Sequence, residues 1–110
     1  MKEKADDSIN SLSEKDQISM VQHKPSNIKY IKDPSEAVQL AAIECSWGDV
    51  IRYIKNPTEE MQLIALDGTR EVHYQNNKDA KYFISEIYGY IKNPTEKAKQ
   101  LYKTLIKERS

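Results

Sequence analysis

A seven-residue string that occurs three times constrains this chain more than any other feature. It reads Tyr-Ile-Lys-Asp-Pro-Ser-Glu from Tyr30 to Glu36, and Tyr-Ile-Lys-Asn-Pro-Thr-Glu from Tyr53 to Glu59 and again from Tyr90 to Glu96. Each copy has the composition of a junction between two helices. Asp33, Asn56 and Asn93 are expected as N-caps, because a short side-chain oxygen can accept from an unpaired first-turn N–H. Pro34, Pro57 and Pro94 then fall at the first helical position, where no backbone donor is required. Glu36, Glu59 and Glu96 fall at the third, able to reach back to the cap and facing the positive end of the helix dipole. Proline also disfavours helical backbone at the residue before it, so Tyr-Ile-Lys closes the preceding helix.

The residues on either side have helical spacing. Trp47, Val50, Ile51 and Ile54 stand at i, i+3, i+4 and i+7, as do Ile84, Ile87, Tyr88 and Ile91, each set forming one apolar helix face. Val38, Leu40, Ala41, Ala42 and Ile43 follow the first proline; Met61, Leu63, Ile64, Ala65 and Leu66 follow the second. Gln39 and Gln62 occupy equivalent places. An offset of 22 residues exposes a worn fourth copy, matching Ser13 to Ser35, Glu14 to Glu36, Gln17 to Gln39, Ile18 to Leu40 and Val21 to Ile43, with Ser11 as its cap. Its polar outer face suits an end unit.

The first two full junctions lie 23 residues apart and the last two 37, so a 14-residue insertion sits between Asp67 and about Asp79. Asp67-Gly68 is a stop signal, and the insertion is expected as a loop. The pattern predicts an all-α chain: a short αα-repeat solenoid or compact helical array of 22–23-residue units with one 14-residue insertion. Residues 1–10, charged and nearly free of large apolar side chains, are expected as a mobile tail, and 11–110 as a single helical-repeat domain.

The Tyr-Ile-Lys-Asn-Pro-Thr-Glu…Gln-Leu unit resembles short helical repeats of phage and bacterial proteins, written as tandem Ile-Lys-Asn-Pro-Ser-Glu units and without a settled activity. The likeness covers about Ser11 to Leu105. The insertion departs from the tandem pattern, and so does the last unit, where Lys99 replaces the glutamine. Small phage proteins built this way often act on a host protein. The resemblance therefore implies an inhibitor of a bacterial defence system, for example an anti-CRISPR-type protein.

Charge and chemistry narrow the field. Lysine plus arginine and aspartate plus glutamate number 17 each, so the net balance favours neither nucleic acid nor DNA mimicry. The single cysteine forms no internal disulfide, which suits a reducing cytoplasm. No apolar run approaches the roughly 18 residues of a membrane span, and the N-terminus has no signal-peptide core. His23 and His73 lack a clustered ligand set and read as surface residues. Cys45 ends an apolar face and reads as a small core residue. Glu59-Glu60 is explained by the helix dipole rather than by acid–base chemistry. No phosphate loop, nucleophile–base pair, metal site or cofactor motif is found, and the chain reads as non-enzymatic.

Two sets of residues are candidates for partner binding. The first is Arg70, His73 and Tyr74 in the insertion, since loops on rigid scaffolds often bind and these side chains suit interface anchoring. The second is the repeated Tyr30, Lys32, Tyr53, Lys55, Tyr90 and Lys92, which stacked units would align into tyrosine and lysine ladders. The leading expectation is a protein partner of a bacterial host, with no membrane and with a homodimer compatible. The alternative is a nucleic-acid or nucleotide binder using the ladders to hold phosphates and stack bases.

Overall fold

The computed structural model describes residues 9–109. Helices begin where a hydroxyl can cap them. Ser13 opens α1 (Glu14–His23), Ser35 opens α2 (Glu36–Glu44), Thr58 opens α3 (Glu59–Asp67) and Thr95 opens α5 (Glu96–Glu108). In each case the hydroxyl oxygen accepts from the N–H three residues on, at 3.2 to 3.3 Å. Asn76 caps α4 (Asn77–Tyr90) in the same way.

The expected caps are therefore two residues too early. Ser13 replaces Ser11, and Ser35, Thr58 and Thr95 replace Asp33, Asn56 and Asn93. The prolines stand just before the caps, and Glu36, Glu59 and Glu96 are first helical residues, where they still meet the dipole. Asp33 and Asn93 take positive φ of 48° and 54°. Short polar side chains tolerate that left-handed backbone best after glycine, so these two residues end the preceding element instead of starting the next. The glutamines join the capping: Gln39 Nε2 donates to the Pro34 carbonyl and Gln62 Nε2 to the Pro57 carbonyl, both at 3.1 Å.

The returning segments are tighter than expected. Pro25–Tyr30 and Asp49–Tyr53 are 3-10 helices, η1 and η2, and Gly68–Glu71 forms a third, η3. So few residues separate the turn at Ser46-Trp47-Gly48 from the next junction that an α-helix there would barely complete a turn, and the tighter form takes its place. Val50, Ile51 and Ile54 remain buried, but Trp47, expected on the same face, is 57% exposed. Cys45, expected in the core, is also exposed.

Packing follows chain order. α1 lies on α2, α2 on α3 and α3 on α5; beside them η1 meets η2 and η2 meets α4. The arrangement measures 48 × 29 × 20 Å. Its core runs through Val21, Val38, Ile43, Ile51, Leu66, Ile84, Ile87 and Leu105. No strand occurs among the described residues, so the all-α class holds.

Two boundaries differ from the sequence expectation. Ile9 and Asn10, assigned to the tail, are helical; Ile9 is buried, and Asn10 holds the first junction by donating to the Tyr30 carbonyl at 2.9 Å and accepting from the Lys32 N–H at 2.7 Å. The rest of the expected tail, residues 1–8, lies outside the described residues. The insertion supplies η3 and the first three residues of α4, 77–79, rather than a simple loop.

Candidate functional site

Three surfaces bear on function. The first is the edge carrying the repeated tyrosines. Tyr30, Tyr53 and Tyr90 are linked by cations from the position just before each of the first two: Lys29 Nζ sits 5.2 Å from the Tyr30 ring centre and 5.9 Å from that of Tyr53. Arg52 Cζ sits 5.0 Å from Tyr53 and 5.4 Å from Tyr90, and its Nη2 donates to the Tyr53 hydroxyl at 3.0 Å. That hydrogen bond, then the charge of Asp49, raises the Arg52 pKa. The expected tyrosine row exists, but its cations are Lys29 and Arg52, not the repeated lysines. The Lys-Tyr, Arg-Tyr, Gly-Tyr series at 29–30, 52–53 and 89–90 is readable in the sequence, but which ring each cation covers depends on how the units pack.

Lys32, Lys55 and Lys92 are exposed. The first two line an open groove of about 690 Å³ with Lys29, Asp33, Tyr53 and Asn56, while Lys92 is not part of its lining. Three cations and an aromatic face there could receive an anion, in a volume within the roughly 300–1,000 Å³ range of small-molecule sites.

The second surface is the insertion, where the chain satisfies its own candidates. Arg70 pairs with Asp67 and, at 3.1 Å, with Glu108 on α5. Its pKa is raised, most by the Glu108 hydrogen bond. The Tyr74 hydroxyl donates to the Thr69 carbonyl at 2.9 Å, its ring lies against Phe83, and Arg109 stacks over it at 5.3 Å. Burial pushes the Tyr74 pKa up. These contacts pin the insertion to the C-terminal helix. Of the three candidates, His73 is exposed and takes no part in the hydrogen bonds and ion pairs that engage Arg70 and Tyr74.

The third surface was missed from the sequence. Trp47 holds φ +55°, a left-handed backbone rare for a bulky side chain, followed by Gly48 at φ +92°. The turn is set by close packing: a Cβ on Gly48 would sit 2.5 Å from the Ala65 carbonyl oxygen. Ser46 supports it, donating to the Ile43 carbonyl at 3.2 Å. The indole is thereby turned outward over a notch of about 300 Å³ bordered by Ile43, Glu44, Ile64, Asp67 and Glu71. A shallow apolar dish lies alongside, sharing Ile64 and Asp67 and adding Leu63, Lys97 and Leu101. Gly48, next to Trp47, was the sequence signal that the helical phase breaks there.

Among the described residues no cluster of histidine, cysteine and carboxylates could hold a metal ion, and no helix is long and apolar enough to cross a membrane. No protein-family model, curated protein or solved structure matches the chain.

Proposed function

We propose that this chain is a non-enzymatic protein-binding module, built as a short αα-repeat solenoid of 22–23-residue units. One observation carries the reading: the sole tryptophan of the chain is turned out to solvent by a rare backbone conformation, on a notch that adjoins an apolar dish. Tryptophan is among the commonest hot-spot residues of interfaces, and an exposed one beside partly buried aliphatics offers the anchor that a partner covers. The in-order packing of α1, α2, α3 and α5 supports the solenoid part of the proposal. The repeat units resemble those of phage and bacterial proteins. On that likeness the partner is proposed to be a bacterial host protein, met in the cytoplasm, and the module an inhibitor of a defence system of the anti-CRISPR type.

The test is affinity capture from a nuclease-treated bacterial lysate with the parent chain and with Trp47→Ala, whose exposed position should leave the fold intact, with circular dichroism as the check. A stoichiometric protein retained by the parent and lost by the variant supports the reading. Equal capture by both removes the Trp47 surface from it.

A second reading rests on the junction groove. Lys29, Lys32 and Lys55 converge beside Tyr53, an arrangement suited to phosphate and a stacked base. It predicts binding of single-stranded nucleic acid that weakens steeply with salt and is lost on changing the three lysines to alanine together. Retention of binding by that triple variant would exclude it.

A further inference from the structure

We infer that the Trp47 notch is a reader of basic segments, taking an arginine or lysine side chain over the indole while an aliphatic neighbour fills the adjoining dish. The inference rests on the protein-binding reading above and specifies the partner chemistry.

The argument is one of charge and shape. Every charged residue bordering the notch is acidic: Glu44, Asp67 and Glu71. Asp67 is already neutralised by Arg70. Glu44 and Glu71 are exposed, and neither is ion-paired with a cation among the described residues. Two uncompensated carboxylates therefore flank an outward indole, the aromatic ring that attracts cations most strongly. The repeated tyrosines and Tyr74 already hold cations, Lys29 and Arg52 on the former and Arg109 on the latter. Among the described residues no such cation lies over Trp47, though its surroundings favour one.

The dish fixes the second half of the recognition. Leu63, Ile64 and Leu101 are half-buried and form its apolar part, and Ile64 is common to dish and notch. A segment crossing both would present an aliphatic side chain next to a cationic one. Lys97, which lines the dish and not the notch, disfavours a second cation there. The surface thus selects a pattern: a base over Trp47 and an aliphatic side chain, rather than another cation, in the dish. A uniformly basic stretch fits less well, and an acidic one is repelled at the notch.

Because Trp47 is the only tryptophan, its fluorescence reports the site directly. The probe is a short acetylated and amidated peptide with one arginine beside two leucines. Its comparators carry citrulline, which keeps the shape and loses the charge, or glutamate. The expected result is a saturable change in Trp47 emission with the arginine peptide. Binding should be weaker by roughly three- to tenfold with citrulline, and weaker still with glutamate. In the Glu44→Gln, Glu71→Gln double variant the preference for arginine over citrulline should shrink to what the indole alone supplies. Equal affinity of arginine and citrulline peptides for the parent would overturn the inference. So would a preference for arginine that the double variant leaves undiminished, or no emission change with any peptide. The capture experiment separates these failures from failure of the wider reading. If Trp47→Ala still abolishes capture while the peptides show no charge preference, a protein binds there and its recognition is not of basic segments.

Discussion

Gln62 should be the most consequential polar side chain in the fold. It is 2% exposed, and its amide joins two junctions that are far apart in sequence. Nε2 donates to the Pro57 carbonyl at 3.1 Å, before its own helix, and Oε1 accepts from the Thr95 N–H at 2.9 Å, at the start of α5. Gln62→Met conserves shape and volume while removing both bonds, which separates hydrogen bonding from packing. Each bond contributes about 1 kcal/mol net, and stranding a partner away from water adds about 1–3 kcal/mol. Thr95 is half-buried, so part of that penalty is relieved by solvent. The expected loss is about 2–3 kcal/mol, or roughly 10–20 °C in Tm for a domain of this size. Gln39→Met is the control. Gln39 is half-buried and makes the equivalent bond to its own Pro34 carbonyl at 3.1 Å, so it should cost only about 1 kcal/mol. Urea unfolding followed by circular dichroism and by Trp47 fluorescence gives both values, with unchanged m confirming a common transition. A Gln62→Met loss below about 0.5 kcal/mol, or no difference between the two variants, would refute the idea that this amide links the junctions.

Other outcomes follow from the same contacts. Thr58→Ala should cost about 1 kcal/mol by urea unfolding and Asn56→Ala much less, because Thr58 caps α3; the reverse order would restore the earlier cap assignment. Gly48→Ala should lose well over 1 kcal/mol, combining a left-handed φ with a Cβ 2.5 Å from the Ala65 oxygen, and a near-neutral result would show that the turn is not pinned there. Arg70→Ala should change stability by no more than about 1 kcal/mol, since the pairs with Asp67 and Glu108 are solvent-exposed and screened. Burial raises the Tyr74 pKa above the usual value for tyrosine, so the folded state favours its neutral form. That contribution is complete below the unfolded pKa and disappears as pH rises through the folded value. Stability should therefore begin to fall near pH 10, less steeply in Tyr74→Phe, as measured by urea midpoints across the alkaline range.

The repeated string determined by itself that the chain is helical, where its junctions lie and which aliphatics face inward. Proline, hydroxyl and acidic residues act on the backbone within a few positions of themselves, and aliphatic spacing survives any choice of neighbour. The string could not decide between two overlapping sets of caps, because Asp33-Pro34-Ser35 holds a cap residue on each side of the proline. Only the tertiary path, which uses left-handed backbone at Asp33 to turn the chain, leaves the hydroxyl as cap. The same holds for the candidate sites. Arg70 and Tyr74 have the right chemistry for binding, but α5 folds back within reach and occupies them. The Lys29 and Arg52 cation ladder requires units brought side by side. Trp47 has helical spacing with Val50, Ile51 and Ile54, yet close packing of Gly48 on Ala65 reverses the backbone one residue later and turns the indole out. Local sequence sets which conformations a residue tolerates; contacts between distant residues select among them, and at Trp47 they expose a side chain whose spacing placed it on the inward face.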